Sequence, residues 1–367
     1  MYPDGTATFT AYDIRDVDLS TLGKTVGPIW DCLIQEIDVE SGNSTFQWRA
    51  SDHVAVDEGF RPIGGEGDPN GVAFDWFHIN SIERDPKGNY LISSRYTFSL
   101  FYIDKDTGKV LWRLGGKKND FKDLSDGKAT DFKFQHHARW SNNYTEVTIF
   151  DNNSDNSWDS KPRGVRVRLD QVAMTAELVV EYRNEEPIPS QSQGSFQDLP
   201  NGNVLLGYGY SGAYTEFAND GTVLCDTHIG PQSNYGSGDV QSYRVLKFDW
   251  HGYPNTKPAT ALKQDEAGVW RLWVSWNGAT EVTTWVLQGS ATEEAKKEDW
   301  QTIETVIKNG FESAFTMRKD HPRYLRIKAL DSDYQVLSTS DPIKAINATV
   351  VSHVSSFLAT TPPLYLG

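Results

Sequence analysis

A small group of polar side chains suited to anion chemistry lies within otherwise apolar segments of the chain. FDWFHINSI contains His78 and Asn80, SSR ends at Arg95, and FQHHARW contains the doublet His136 and His137. Successive side chains of a strand point to opposite faces, so His78 and Asn80 would share a face. By the same rule His137 would point away from the face that His136 occupies. An imidazole can be a nucleophile, and guanidinium and amide groups stabilise negative charge on oxygen. We therefore predict a catalytic group of His136, His78 and Arg95.

Five further residues are candidates for binding a substrate beside this group. Ser195 and Gln197, in GSFQDLPNGN, occupy the position in their repeat unit that corresponds to the histidines in the preceding unit. The other three candidates are Asn80, Gln135 and Trp76. Each has a structural alternative. Buried hydroxyl and amide groups often bond neighbouring loops, and a tryptophan here is also expected to pack between strands.

Repeated units along the chain explain how residues so distant in sequence could meet. GNYLISSRYTFSLFYIDKDTGKVLWRLGG (88–116) and GNVLLGYGYSGAYTEFANDGTVLCDTHIG (202–230) share one order of short strands and turns, and two diverged copies begin at GTATFTAYD and TEVTIFDNN. Such units are typical of β-propeller blades, whose innermost strands line a common channel. We predict an all-β propeller over residues 1–255, with about four blades and a further strand over 242–250.

The pattern of apolar and polar residues changes after KPAT (257–260). The segments that follow alternate apolar and polar residues between turns, as in LWVSWNGATEVTTWVL. This pattern predicts a small β-sandwich of immunoglobulin or fibronectin III type over residues 258–345. Residues 346–367 are expected to form an irregular tail.

Composition narrows the classes of function. The 367-residue chain is 38% hydrophobic and carries a formal net charge of −15, and such an acidic surface repels nucleic-acid phosphates. No apolar run approaches the roughly 18 residues of a membrane span. Cys32 and Cys225 form no CxxC pair, and no phosphate-loop, dinucleotide, zincin or serine-hydrolase motif occurs. We expect no metal, no organic cofactor, no nucleic acid and no membrane span.

The signals for localisation are sparse. The first residues show neither a basic nor an apolar region of a signal peptide. Four N-x-S/T sequons occur, at Asn43, Asn143, Asn152 and Asn347. They indicate a secretory ancestry and make glycosylation an expectation, while the localisation itself is not determined by the sequence.

Several of these motifs resemble one known family. FDWFHINSI, GNYLISSR, DKDTGKVLWRLGGKKNDF, FQHHARW and FDNN resemble the arylsulfotransferase family in its fungal branch, and LWVSWNGATEVTTWVL and GFES resemble that branch's C-terminal sandwich. The resemblance covers roughly residues 3–340. It implies a six-bladed propeller that moves a sulfuryl group between phenols without a nucleotide donor. It also implies that His136 stands where a histidine is transiently sulfated, and that His78, Asn80 and Arg95 surround the transferred group.

One departure from the family pattern bears on the activity. The resemblance implies further blades upstream, with a histidine just before the segment where this chain begins. The chain opens inside a blade, at PDG. We therefore expect a shortened propeller with an incomplete anion site.

Three hypotheses for function follow. The first, favoured by the absent histidine, is a cofactor-independent enzyme of natural-product metabolism. It would hold a reactive phenol or quinone methide and catalyse cyclisation, as in a hetero-Diels–Alder step, by positioning and hydrogen bonding. The second is sulfuryl transfer between phenols through His136. The third is a propeller that binds without catalysis. The first two share an aromatic small-molecule substrate.

Overall fold

Short segments of alternating or fully apolar residues form antiparallel strands, closed by glycine and aspartate turns. The computed structural model describes residues 1–153, 161–186, 188–318 and 320–345. Two units, Met1–Lys247 and Phe248–Gly367, are each compact. The predicted tail lies outside the described residues, and the predicted domain limits at 255 and 258 stay predictions.

The first unit contains four sheets that follow one another along the chain. The first sheet has three antiparallel strands in sequence order, namely β1 (Thr6–Asp18), β2 (Val26–Asp38) and β3 (Ser44–Arg49). The second has four in sequence order, namely β4 (Ile79–Arg84), β5 (Tyr90–Ser94), β6 (Ser99–Ile103) and β7 (Val110–Gly115). Its β6–β7 turn runs from Asp104 to Gly108 in DKDTG, where the Asp104 carboxylate accepts the Thr107 N–H and Gly108 has a φ of +70°.

The other two sheets repeat the same plan. The third is formed by β9 (His136–Ser141), β10 (Glu146–Asp151), β11 (Arg163–Asp170) and β12 (Thr175–Tyr182), with the short β8 (Lys122–Asp123) parallel to β12. The fourth is formed by β13 (Ser195–Asp198), β14 (Val204–Gly207), β15 (Ala213–Phe217) and β16 (Val223–His228).

Apolar layers between successive sheets join them into a propeller. Trp48 of the first sheet shares a buried cluster with Phe101 of the second. Leu100 of the second shares another with Val147 of the third, and a further cluster joins the third and fourth sheets. The first strands β4, β9 and β13 lie side by side. The prediction of an all-β propeller with about four blades is confirmed.

The predicted strand over 242–250 is wrong. This segment forms only one isolated bridge, between Gly209 and Ser242. The hydroxyl of Ser195 and the side-chain amide of Gln197 instead bond the backbone groups of Val245 and Lys247, at 2.8 to 3.0 Å. Side-chain hydrogen bonds beside β13 thus replace the backbone hydrogen bonds that a neighbouring strand would make.

The second unit is a β-sandwich. One sheet contains β17 (Ala259–Gln264), β18 (Trp270–Ser275) and β21 (Glu312–Thr316). The other contains β19 (Thr284–Ser290), β20 (Gln301–Ile307), β22 (Tyr324–Leu330), β23 (Val336–Thr339) and β24 (Ile343–Lys344). Leu272 and Phe315 of the first sheet share a core with Trp285 and Ile327 of the second, which explains the alternating pattern of the sequence.

Helix is confined to short 3₁₀ turns among the described residues, at Ser20–Leu22, Ala50–Asp52, Val56–Glu58, Gln232–Asn234 and Lys297–Asp299. None of the helices found in this part of the chain has the length and apolar character needed to cross a membrane.

The close approach of the third and fourth blades at Gly194 gives a test of the propeller packing. Gly194 has a φ of +111°, and a Cβ there would lie 2.3 Å from ring atoms of the buried Phe150. Gly202, with a φ of +86°, has no atom within 4 Å of its would-be Cβ. We expect Gly194→Ala to destabilise the protein by about 3 kcal/mol, through strain plus overpacking. Gly202→Ala should cost about 1 kcal/mol, through strain alone. Urea unfolding measures both values, and equal effects would contradict the packing.

Candidate functional site

The backbone before β4 turns sharply at the first predicted histidine. His78 has a left-handed φ of +54° and precedes the strand, whose register then shifts between Ile79 and Ser81. The expectation that His78 and Asn80 occupy one strand face therefore does not describe the structure. The Asn80 side chain is buried and donates to the Gln135 carbonyl at 2.7 Å, so it ties β4 to the segment that leads into β9.

Of the two imidazoles in the predicted catalytic group, His78 is more accessible than His136. Its side chain is 35% exposed, and its Nδ1 lies 2.5 Å from the Asp75 carboxylate. The rings of Tyr12 and Tyr96 flank it, with centroids 6.1 and 5.1 Å away. Asp75 orients the imidazole through Nδ1, which leaves Nε2 as the nitrogen that can exchange a proton.

Arg95 is held rigidly beside this group. Its backbone N–H donates to the His78 carbonyl at 2.9 Å, and its guanidinium donates to the Gln191 carbonyl at 3.0 Å. The guanidinium carbon lies 4.8 and 4.9 Å from the ring centroids of Tyr96 and Phe134. The residue is 6% exposed, and its burial lowers the pKa of Arg95. The charge is therefore poorly solvated and strongly felt by its neighbours.

His136, at the start of β9, is enclosed and hydrogen-bonded through both ring nitrogens. Nδ1 lies 2.9 Å from the Phe134 carbonyl and 2.8 Å from Oδ1 of Asn152, while Nε2 accepts the Gln193 N–H at 3.1 Å. The ring is 2% exposed. Burial lowers the pKa of His136 to about 3; the bond to Asn152 opposes this shift, and the charge of Arg95 adds to it. The imidazole is neutral near pH 7, with its proton on Nδ1 and its lone pair on Nε2.

Asn152 fixes that tautomer. Its amide nitrogen donates to the carbonyls of Ser190 and Gln193 at 2.9 and 3.0 Å, so its oxygen faces His136. Asn152 is fully buried, which is incompatible with the glycan that its sequon suggested. Asn43 and Asn143 are exposed, and the fourth sequon, Asn347, lies outside the described residues.

The other predicted residues connect blades. Gln135 is buried and donates to the Ser94 carbonyl at 2.9 Å. His137 also has a left-handed φ, and its Nδ1 lies 3.0 to 3.2 Å from backbone atoms of Phe196 in β13. Burial lowers the pKa of His137 to about 2. Trp76 is fully buried against Phe77.

The structure therefore divides the predicted residues into two groups. The Tyr96 ring contacts both His78 and Arg95, while His136 bonds the backbone carbonyl of Phe134, whose ring also contacts Arg95. The remaining five, Asn80, Gln135, Ser195, Gln197 and Trp76, pack or bond within the protein.

Sequence reasoning missed several residues that complete this region. Tyr243 places its ring 6.3 Å from that of His136, and Arg244 donates to the Asn80 carbonyl at 2.9 Å. Both belong to the segment mistaken for a strand. Asn152 and Asp75 had weak signals, as the end of FDNN and as an acid three residues before His78. Tyr12 had none.

A pocket adjoins the group on the side of Tyr96 and Phe134. It has a volume of about 810 Å³, and Phe60, Arg61 and Phe98 also line it. His78 and His136 are not among its lining residues, so the open space and the imidazoles are neighbours and do not coincide. In the part of the chain that the structure describes, no three His, Cys, Asp or Glu side chains gather as a metal-binding group.

Comparisons with solved structures give distant likenesses. A protein of unknown function from Bacteroides caccae is 11% identical, over 85% of this chain and 90% of that one, with a TM-score of 0.34. Virginiamycin B lyase from Staphylococcus aureus is 8% identical, over 92% and 91% of the two chains, with a TM-score of 0.31. These scores are low, so the likenesses carry no conclusion about function.

A search of curated proteins gives no match to the chain. The family model described as Arylsulfotransferase (ASST) matches residues 1–230. That segment includes all four sheets of the propeller unit and the residues around His136. Because the match spans more than half of the chain, the protein belongs to the arylsulfotransferase family.

Proposed function

We propose that the propeller unit transfers a sulfuryl group from an aryl sulfate to a phenol through His136. The observation that carries this proposal is the state of the His136 imidazole. Asn152 and the Phe134 carbonyl hold its proton on Nδ1, and burial keeps the ring neutral. Nε2 therefore needs no prior loss of a proton to act as a nucleophile, although its lone pair accepts the Gln193 N–H in this structure.

The reaction has two displacements at sulfur. In the first, Nε2 of His136 forms an N–S bond while the aryl O–S bond breaks, and the phenolate leaves with the electron pair. In the second, the acceptor phenol oxygen attacks the same sulfur and the N–S bond breaks, which restores the neutral imidazole. The acceptor's proton goes to Nε2 of His78, whose Nδ1 is bonded to Asp75, and from there to the departed phenolate.

Arg95 supplies the charge that this chemistry needs. A sulfuryl group carries negative charge on its oxygens throughout both displacements. The guanidinium is fixed by the Gln191 carbonyl and two aromatic rings, so little reorganisation is needed when the charge shifts during reaction. Its burial strengthens the interaction relative to that in water.

One contact must change before the first displacement. The Gln193 N–H donates to Nε2 of His136 at 3.1 Å, and a nitrogen cannot use the same lone pair to attack sulfur. The proposal therefore requires Gln193 to move when the donor binds. Once displaced, the Gln193 N–H can donate a hydrogen bond to a sulfuryl oxygen.

The hypothesis of ring formation finds less support. Family membership favours sulfuryl transfer, and no contact in the described part of the chain favours cyclisation specifically. An aromatic-walled pocket would serve either reaction, or binding alone. The experiments below separate transfer from both alternatives.

Substitution of the nucleophile gives the direct test. With 4-nitrophenyl sulfate and phenol, we expect the wild-type protein to release 4-nitrophenolate and to show, by mass spectrometry of the intact chain, an adduct with the mass of one SO₃ group. His136→Ala should show neither, because a covalent step fails without its nucleophile. Arg95→Lys should keep the adduct but slow its formation about 100-fold, because a compact ammonium lacks the planar contacts of the guanidinium.

Circular dichroism of each variant controls for folding. Nitrophenolate release that persists in His136→Ala would remove this residue from the mechanism. Saturable binding without release in the wild-type protein would instead support a propeller that binds without catalysis.

The neutral state of His136 can be tested through stability. The unfolded chain binds a proton at this residue below pH 6.5, whereas the folded protein binds it only near pH 3. Because the unfolded state binds more protons in that window, the free energy of unfolding falls as the pH falls from 6.5 toward 3. We expect His136→Asn to reduce that slope by about 1.4 kcal/mol per pH unit.

Urea unfolding at several pH values measures the slope. The same substitution at His228, an exposed residue of β16, controls for removal of an imidazole as such. An unchanged slope in His136→Asn would show that the folded protein carries this imidazole in the same protonation state as the unfolded chain does.

A further inference from the structure

Five of the thirteen residues that line the pocket of about 810 Å³ beside the second and third blades are aromatic. Phe60 stacks on Phe98 with ring centroids 4.3 Å apart and planes 11° from parallel. Phe98 meets Phe134 edge to face at 4.8 Å, and Phe134 meets Tyr96 in the same way at 6.2 Å. These four rings line one space, in which the inner faces of Phe60 and Phe98 cover each other. A further planar ring can therefore meet the outer surface of that stack and the ring edges.

Two of these rings belong to residues with an unusual backbone conformation. Phe98 and Phe134 have φ angles of +53° and +55°, a region that a bulky side chain rarely adopts. Phe98 lies just before β6, and Phe134 lies two residues before β9. Backbone held in such a region at two facing positions is typical of a ligand-binding wall. The outermost ring, Phe60, is 44% exposed, so a ligand could cover apolar surface that now faces water.

Three cations, Lys117, Lys133 and Arg61, lie around the rings although the protein as a whole is acidic. The Lys117 ammonium lies 4.9 Å from the Phe60 ring centroid and donates to the carbonyls of Asp57 and Gly59, so no carboxylate neutralises it in these bonds. Lys133 lines the pocket and lies 3.7 Å from Asp131, with both side chains largely in solvent. Arg61 is paired with Glu66 at 2.5 Å. Of these three cations, Lys133 and Arg61 thus lie beside carboxylates, whereas the bonds of Lys117 go to carbonyls.

We propose that this pocket is a binding site for a planar aromatic anion. The ligand's ring packs against the outer surface of the Phe60–Phe98 stack, and its anionic group lies at the rim near Lys117 and Lys133. This site goes beyond the sulfuryl-transfer proposal, since its lining residues do not include His136 and its occupation requires no reaction. Tyr96 and Phe134 connect the two, because they line the pocket and also contact the Arg95 guanidinium.

Isothermal titration calorimetry with naphthalene-2-sulfonate tests the site. A sulfonate has a carbon–sulfur bond and no ester oxygen to leave, so binding is measured without transfer. The neutral comparison ligand is 2-naphthol. We expect Phe60→Ala to weaken both ligands about tenfold, through loss of one stacking partner. Lys133→Ala should weaken the sulfonate about threefold and leave 2-naphthol unchanged, because only the anion interacts with the charge.

Matched substitutions at exposed residues of the second unit, Phe311→Ala and Lys263→Ala, should leave both dissociation constants unchanged. His136→Asn should also retain binding, which keeps this test separate from that of sulfuryl transfer. The proposal is overturned if the wild-type protein shows no saturable binding of the sulfonate. It is equally overturned if Phe60→Ala binds the sulfonate as tightly as the wild type, or if His136→Asn abolishes binding.

Discussion

Hydrogen bonds from buried side chains to the backbone of the next blade hold the centre of the propeller together. Asn80 and Gln135 connect β4 and β5 with the start of β9, His137 meets the backbone of β13, and Ser195 bonds the segment beyond it. Strand ladders end at the edge of each blade, so polar groups at the axis need partners from a neighbour. The positions of Arg95 and His136 depend on these bonds, since Arg95 directly follows β5 and His136 is the first residue of β9.

The same requirement explains why residues of similar type have different roles. Gln135, His136 and His137 are consecutive and all buried. Gln135 and His137 bond backbone atoms of the adjacent blades. His136 bonds one side chain and two backbone groups, and those partners leave a defined tautomer beside a guanidinium. Residue type alone would not distinguish the roles of these three side chains, whereas their hydrogen-bond partners do.

The sequence predicted the blades well, because alternation of apolar residues and glycine and aspartate turns are local signals. It also led us to expect His78, Arg95 and His136 in one catalytic site, since equivalent positions of a repeat converge at a propeller axis, and that site stays a prediction. It failed at 242–250, where alternation suggested a strand but Ser195 and Gln197 provide the bonds instead. The left-handed backbone at His78 and His137 was equally hidden, because no residue type there demands it. The sequence marked Asn152 only as a sequon and as part of FDNN, since its bonds to the 190–193 segment are long-range.

The position of Asn152 links the protonation pattern of one ring to the conformation of a loop. Its amide spans the Ser190 and Gln193 carbonyls and the His136 imidazole at once. Withdrawing that loop would break these two bonds, together with the bond from the Gln193 N–H to Nε2 of His136 and the bond from Arg95 to the Gln191 carbonyl. Each contributes about 1 kcal/mol, and their loss would release the constraint on Nδ1. By reciprocity, any ligand that holds the loop away must compensate that loss through its own contacts. Part of this protein's selectivity would then come from the free energy needed to move the loop. Molecules whose contacts do not supply that free energy would not reach the imidazole.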